Sequence, residues 1–186
     1  FRGVWHPNDG EVAVVMNQNA NTDIFLVGKG GKSVRRITYG ASIETSPSWS
    51  PDGKRLAFVS DQSGSPQVYV RELASGETRR LTYRGDYNAS PAWSPTGEWI
   101  AFAAQTDNSF DIYLIDPSTG YTHPVVVHPR SDETPAWAPD GRTLAFVSNR
   151  YGKKDVFSVD ITGGSLRRLT ADFGNCRGPA WSPRLQ

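Results

Sequence analysis

Short apolar runs separated by polar, glycine-containing segments recur along the whole chain. In residues 46–83, Leu56–Val59 is one continuous apolar run, Val68–Val70 is a second, and polar loops flank both. Residues 97–104 and 141–148 repeat the first run as GEWIAFAA and GRTLAFVS. A continuous run predicts a strand covered on both faces, because a half-exposed strand would alternate. No segment has the spacing of an amphipathic helix, so the pattern predicts an all-β protein.

The alternation keeps a fixed period of 44 residues. Tryptophans recur at this step, and so do an aliphatic-aromatic pair and an aliphatic residue usually followed by threonine. The tryptophans are Trp5, Trp49, Trp93, Trp137 and Trp181; the second marker lies at 24–25, 68–69, 112–113 and 156–157, and the third at 37–38, 81–82, 125–126 and 169–170. Repeats of about 40–45 residues with several strands are typical of β-propeller blades.

Each repeat is therefore predicted to be one four-stranded antiparallel blade. The predicted blades cover about residues 1–45, 46–89, 90–133 and 134–177, with one extra closing strand at 178–183. A blade cannot bury both of its apolar faces alone, so blades stack face to face. The repeated tryptophans, phenylalanines and tyrosines are accordingly expected in the core between blades.

Pairs of arginines precede three of the aliphatic-threonine markers, at 35–36, 79–80 and 167–168. We expect them on the outermost strand of each blade, where cations discourage edge-to-edge pairing. The alternative is a stripe that docks an anionic partner.

Composition narrows the function classes. Hydrophobic residues are 37% and charged residues 21%, which is typical of a globular protein. The formal net charge of +1 argues against nucleic acid or an anionic membrane as partner. The sequence has no apolar run of about 18 residues, which a transmembrane helix would need. Cys176 is the only cysteine, so an internal disulfide and a cysteine-based metal cage are both excluded.

The sequence offers no catalytic constellation. It lacks the Gly-x-Ser-x-Gly motif of a nucleophile elbow, as well as zincin, P-loop and dinucleotide-binding motifs. His123 and His128 are five residues apart in an extended stretch, so their side chains are expected on opposite faces. His6 is interpreted as a solvated turn residue. We therefore expect a protein that is not an enzyme, with no catalytic residue and no metal site.

The repeat PAWSPDG…LAFVS…VYV…RRLT resembles the TolB-type repeat rather than the WD repeat, because the chain contains no Trp-Asp dipeptide. TolB proteins, tricorn-like proteases and propellers of prolyl-oligopeptidase relatives share this block. Residues 131–140, SDETPAWAPD, look like the last blade of the TolB family, and residues 178–186 are similar to its C-terminus.

The resemblance implies a six-bladed propeller, closed by its terminal strand, in the Tol-Pal system of the bacterial periplasm. Its implied partner is a Pal-like lipoprotein, a peptidoglycan-associated protein bound at the propeller mouth. This chain has four complete repeats, so we expect it to be part of a six-bladed ring. Two alternatives stay open: an accessory or substrate-gating propeller of a prolyl-oligopeptidase-like or tricorn-like peptidase, and a stand-alone propeller of unknown ligand.

In a propeller, the loops that enter the first strands converge on the channel mouth, and here they vary most between repeats. Function usually resides in such loops. The candidate binding residues are Glu44, Thr45, Asp86, Asn88, Asp132, Glu133, Thr134 and Arg177. Their carboxylates could hold Ca²⁺ through oxygen ligands, or could be hydrated or capped by loop amides. A mostly acidic mouth would prefer a partner that presents lysine or arginine. Residues 61–65, 105–109 and 149–154 are expected as an outer rim on the same face.

Overall fold

The computed structural model describes residues 3–8, 10–18, 20–171 and 173–182. Within these residues the chain forms sixteen strands and one short 3-10 turn, Lys29–Gly31. The strands are β1 Val4–Trp5, β2 Val12–Gln18, β3 Asn21–Val27, β4 Val34–Arg36, β5 Glu44–Trp49, β6 Arg55–Ser60, β7 Gln67–Glu72, β8 Thr78–Arg80, β9 Asn88–Trp93, β10 Ile100–Thr106, β11 Ser109–Ile115, β12 Thr122–Val126, β13 Asp132–Trp137, β14 Thr143–Ser148, β15 Asp155–Asp160 and β16 Arg167–Arg168. No helix in this described part is long and apolar enough to cross a bilayer.

The strands form four antiparallel sheets, each with four strands in sequence order: β1 to β4, β5 to β8, β9 to β12 and β13 to β16. The predicted all-β fold and its four-stranded blades are confirmed. The continuous apolar runs lie in the second strands β6, β10 and β14, whose central residues are buried. Such a strand is hydrogen-bonded along both edges to neighbours in its own sheet. The side chains on its two faces must therefore be buried by residues from outside that sheet.

Tight turns join the first strand of a blade to the second. In the second blade Gly53 N–H donates to Ser50 O at 2.9 Å, and Gly53 has a φ of +71°. Glycine is needed because this left-handed conformation disfavours a side chain. A Cβ atom there would also lie 2.2 Å from the ring of His6. His6 is half-buried and packs edge-on against Trp49, so its interpretation as a solvated residue is wrong.

The chain divides into two compact units, Phe1–Pro91 and Ala92–Gln186. The core of the first unit takes side chains from both of its complete sheets, including Ile24 and Leu26 of β3 with Leu56 and Phe58 of β6. The core of the second unit likewise combines two sheets, through residues such as Leu114 and Phe146. Two consecutive sheets therefore share one apolar core within each unit, as the stacking argument predicts.

The tryptophans differ more than their equal spacing suggests. Trp49 is buried, and its indole N–H donates to the carbonyl of Val4, 45 residues earlier, at 3.1 Å. Trp137 repeats this bond within the second unit, to Ala92 at 2.8 Å. Trp5 is instead 69% exposed, so the expectation that every repeated tryptophan is core is wrong.

The arginine pairs lie on the fourth strands β4, β8 and β16, which are sheet edges, as expected. The second arginine of two pairs also turns inward: Arg36 binds Asp23 at 2.6 Å, and Arg168 binds Asp155 at 2.6 Å. Both carboxylates are buried. These guanidinium groups therefore compensate internal charge, which leaves less of the stripe available to an anionic partner.

The predicted closing strand at 178–183 is not a strand over its described residues, 178–182. In the other repeats the first strand pairs with the second strand that follows it in sequence. Trp181 still donates its indole N–H to Ala136 O at 3.1 Å. Residue 183 lies outside the described residues.

Candidate functional site

A repeated backbone kink marks the start of the first strands. Ser46, Ser90 and Thr134 occupy the same repeat position and have φ values of 54°, 52° and 51°. A positive φ is uncommon for residues other than glycine. The ladder register shifts at this kink, between Thr45 and Ser48 and again between Glu133 and Ala136. Such bulges redirect side chains and are frequent beside functional sites. Here the residues just before the kink turn inward.

Glu44 is one of these residues, and only 3% of its surface is exposed. Its Oε1 accepts hydrogen bonds from Ser42 at 2.5 Å and from Ser60 at 3.0 Å. Its Oε2 is buried and has no hydrogen-bond partner. Burial raises the pKa of Glu44, the two serine hydrogen bonds oppose that rise, and the nearby charge of Asp23 adds to it. Glu44 is thus a buried group in the first unit rather than an exposed contact residue.

Asn88 occupies the equivalent position one repeat later and is 1% exposed. Its Nδ2 donates to Gln67 Oε1 and to Arg84 O, both at 2.8 Å. Gln67 Nε2 in turn donates to Gly85 O at 3.1 Å. These two buried amides hold the backbone of residues 83–87, so Asn88 shapes that loop from below.

Asp132, the next equivalent residue, is fully buried and accepts hydrogen bonds from Arg150 Nη2 at 3.0 and 3.2 Å. Burial raises the pKa of Asp132, while the hydrogen bonds from Ser148 and Arg150 oppose the rise. The Arg150 guanidinium stacks over Phe157, 4.8 Å from the ring centre. Beside this pair, Glu133 Oε2 binds Lys154 Nζ at 2.8 Å. The carboxylates that suggested a Ca²⁺ site here are therefore already neutralised by cations.

The remaining candidates lie at or near the surface. Thr45 and Thr134 are half-buried, whereas Asp86 and Arg177 are exposed. Thr134 Oγ1 is buried without a hydrogen-bond partner. Across the described ranges, no three or more His, Cys, Asp or Glu side chains group in a way that could hold a metal ion. His123 packs edge-on against Trp99 at 5.0 Å between ring centres.

Within each unit, hydrogen bonds gather the variable loops at one edge. In the first unit Ile43 N donates to Asp61 Oδ1 at 2.8 Å, and Asn88 N donates to Pro66 O at 2.9 Å. We call residues 39–43, 61–66 and 83–87 the first loop edge. In the second unit Asn149 N donates to Ser131 O at 3.2 Å, and Cys176 N donates to Lys154 O at 2.7 Å. We call residues 127–131, 149–154 and 173–177 the second loop edge.

The first loop edge presents apolar side chains that the sequence reasoning missed. Tyr39 and Tyr83, one period apart, are 66% and 72% exposed, and Ile43 and Tyr87 are also exposed. The Tyr39 hydroxyl donates to Arg36 O at 2.8 Å, and the Arg36 guanidinium lies 5.1 Å from the Tyr39 ring centre. These contacts fix the ring while leaving much of it accessible. The signal was available, since tyrosines 44 residues apart in variable loops break the rule that such loops are polar.

The second loop edge carries a depression of about 320 Å³. It is lined by Asn149, Gly152, Lys154, Asn175 and Arg177. Of the candidate residues named from the sequence, Arg177 lines the depression, and Glu133 is bound to the lining residue Lys154. The lining is basic and amide-rich, in contrast to the mostly acidic mouth expected from the sequence, because the carboxylates nearby are buried or ion-paired.

Comparisons with known proteins agree with this architecture. Residues 2–185 match the profile of the TolB beta propeller domain. The fold is similar to that of TolB from Agrobacterium tumefaciens, with a TM-score of 0.85, 24% identity, and coverage of 96% of this chain and 68% of that chain. It is also similar to TolB from Acinetobacter baumannii, with a TM-score of 0.77, 26% identity, and coverage of 89% and 43%.

Peptidase propellers are similar as well. A puromycin hydrolase structure, an S511A mutant, gives a TM-score of 0.77 at 18% identity, with coverage of 97% of this chain and 32% of that chain. The chain thus spans less than half of the Acinetobacter protein and about a third of the hydrolase. No curated protein sequence matches it.

Proposed function

Because this chain belongs to the TolB beta propeller domain family, we propose that it is a non-enzymatic propeller module that binds a protein partner through its loop edges. The partner is a Pal-like lipoprotein, and the place of binding is the periplasm, within the Tol-Pal system. Two of the similar structures are TolB proteins, which supports this assignment.

The observation that carries the proposal is the exposed apolar surface of the first loop edge. Tyr83 and Tyr87 lie on a loop whose backbone accepts hydrogen bonds from the buried amides of Gln67 and Asn88. Tyr39 and Ile43 lie on a loop that is bonded to Asp61 through the Ile43 N–H. Tyrosine is enriched in protein interfaces because it combines a large apolar body with a polar end. Rings that are fixed before binding lose little conformational freedom on binding. Such a surface suits a folded protein partner.

The proposal is tested by measuring affinity for the soluble domain of a Pal-like lipoprotein by isothermal titration calorimetry. The double variant Tyr83→Ala, Tyr87→Ala should raise Kd about tenfold or more, as expected for aromatic anchors near an interface centre. Tyr121→Ala is the matched control, because Tyr121 is exposed but lies in the turn before β12 and belongs to neither loop edge. Equal losses in both variants, or wild-type protein that does not bind, would contradict the proposal.

A second candidate is an accessory propeller of a peptidase, favoured by the similarity to puromycin hydrolase. In that case the longer protein containing this chain should hydrolyse aminoacyl p-nitroanilides. Hydrolysis would support the peptidase assignment, whereas Pal binding without hydrolysis would support the first candidate.

A further inference from the structure

We infer that the depression in the second loop edge is a subsite for a carboxylate, supplied by an acidic side chain of the bound protein. This inference rests on the proposed function and adds the chemistry that one part of the partner presents. It also reverses the expectation, drawn from the sequence, that the partner presents lysine or arginine there.

The two walls of the depression are fixed to each other. Lys154 and Gly152 come from the loop between β14 and β15, and Asn175 and Arg177 come from the segment after β16. Lys154 N donates to Asn175 Oδ1 at 3.1 Å, and Cys176 N donates to Lys154 O at 2.7 Å. The backbone of one wall is therefore bonded to the other before any ligand arrives, which lowers the ordering cost of binding.

The charge at this place is positive. Lys154 and Arg177 line the depression. Of the carboxylates close in sequence, Glu133 is bound to Lys154, and the buried Asp155 is bound to Arg168. Asp132 contributes little negative charge at the depression, because it is fully buried and paired with Arg150. No ion pair to Arg177 occurs within the ranges that the structure describes. Its planar guanidinium carries several N–H donors in a geometry that matches a carboxylate.

The amides in the lining supply further donors. Asn175 Oδ1 already accepts the Lys154 N–H, so its Nδ2 is the end left to donate. Gly152 has a φ of +90°, and nothing lies within 4 Å of the place a Cβ would take. The absence of a side chain at residue 152 keeps the rim open. The space of about 320 Å³ lies at the small end of the range for ligand pockets, which is about 300–1,000 Å³, and therefore suits one side chain.

The subsite is tested by NMR titration of the ¹⁵N-labelled chain with the α-amides of N-acetyl-L-glutamate and N-acetyl-L-glutamine, below called acetylglutamate and acetylglutamine, and with inorganic phosphate. With the α-carboxyl groups amidated, the first two ligands differ only in the side-chain carboxylate. Acetylglutamate should give saturable shifts centred on the amides of Gly152, Asn175 and Arg177, and acetylglutamine should not. Arg177→Gln should weaken acetylglutamate binding about tenfold or more, the loss expected for one charge-assisted hydrogen bond. Arg142→Gln is the matched control, because Arg142 is exposed at the opposite end of β14.

Equal shifts with acetylglutamate and acetylglutamine, or equal losses in the two arginine variants, would overturn the subsite. Tighter binding of phosphate at the same amides would also overturn the assignment to a carboxylate. Calorimetry with the soluble Pal-like domain separates the two proposals. If wild-type protein fails to bind Pal but still binds acetylglutamate, the proposed function fails and the subsite stands. If Pal binds equally to wild type and Arg177→Gln, the subsite has no part in recognising Pal, and the inference fails alone.

Discussion

The side-chain carbonyl of Gln67 accepts a 2.8 Å hydrogen bond from the amide of Asn88, 21 residues later in the chain. Equivalent positions in the other repeats hold Asp23 with Glu44, Asp111 with Asp132, and Asp155 with Cys176. In each pair the first residue lies at or near the start of a third strand, and the second lies at the entry to the following first strand. The second repeat alone has two neutral amides there.

Asn88→Ala should destabilise the protein and loosen residues 83–87. The substitution removes both Nδ2 hydrogen bonds and leaves the buried Gln67 Oε1 with only the Thr82 hydroxyl. The expected loss in the free energy of unfolding is about 1–3 kcal/mol, measured by urea denaturation. Asn108→Ala, at an exposed loop tip, should change it by less than about 0.5 kcal/mol. Equal effects from both variants would contradict the structural role of Asn88.

Glu44→Gln should stabilise the protein at neutral pH. Because burial raises the folded-state pKa of Glu44 above the ordinary value of 4.5, the folded protein binds the proton more tightly than the unfolded chain. Stability contributed by the protonated carboxyl is present below pH 4.5 and is lost as pH rises through the raised pKa. Glutamine keeps Oε1 as the acceptor for Ser42 and Ser60 and replaces the unpartnered, ionisable Oε2 with an amide.

The expected gain for Glu44→Gln is about 1 kcal/mol at pH 7, shrinking towards zero near pH 4, in urea denaturation across this range. Glu77→Gln serves as control, since Glu77 is exposed and should give a small difference at both pH values. A Glu44→Gln protein that is less stable than wild type at pH 7 would show that the Glu44 carboxylate stabilises the fold.

Arg150→Gln should be far more damaging than loss of a surface arginine. It leaves the fully buried Asp132 carboxylate without its cation, which costs about 3–5 kcal/mol in comparable buried pairs. Arg55→Gln breaks a partly exposed pair with Glu72 and should cost less than about 1 kcal/mol. Thermal or urea unfolding of both variants compares the two losses in the free energy of unfolding, and equal losses would contradict the role of Arg150.

The same desolvation argument applies to charge reversal at Asp132, which would unfold the surroundings of the residue. Lost binding in that variant would therefore not locate an interface.

Trp49→Phe should cost about 1–3 kcal/mol, because it removes both packing volume and the indole hydrogen bond to Val4. Trp5→Phe should cost less than about 0.5 kcal/mol, because Trp5 is largely exposed. Urea denaturation measures the free energy of unfolding of the two variants, which change the same repeat position in a buried and in an exposed setting. Similar losses would contradict the difference in burial between the two tryptophans.

The period of 44 residues was enough to predict the sheets, because burial of Leu56–Val59 and its equivalents depends on local hydrophobic pattern. The surroundings of Glu44, Asn88 and Asp132 could not be predicted in the same way. Their burial depends on the positive-φ kink two residues later and on partners 16 to 21 residues away. A Ser-Pro or Thr-Pro pair was the one visible hint. Sequence reasoning correctly assigned these residues to one repeat position and wrongly read it as an exposed acidic mouth.

The depression of the second loop edge was beyond sequence reasoning for a similar reason. The two walls of the depression are joined by the hydrogen bond from Lys154 N to Asn175 Oδ1, and neither residue is a repeat marker. The aliphatic-aromatic and tryptophan markers describe the scaffold, which is nearly the same in each repeat. Departures from the repeat, such as Tyr87 and Asn175 at equivalent positions, lie in the two loop edges that we propose as binding surfaces.

Hydrogen-deuterium exchange with and without the soluble Pal-like domain locates the bound surface without any substitution, because bound amides become protected. If the partner binds through the loop edges, protection should concentrate in residues 39–43, 61–66 and 83–87, and in residues 127–131, 149–154 and 173–177. Protection confined to the turns at the other ends of the strands, at residues 50–54, 94–98 and 138–142, would contradict it.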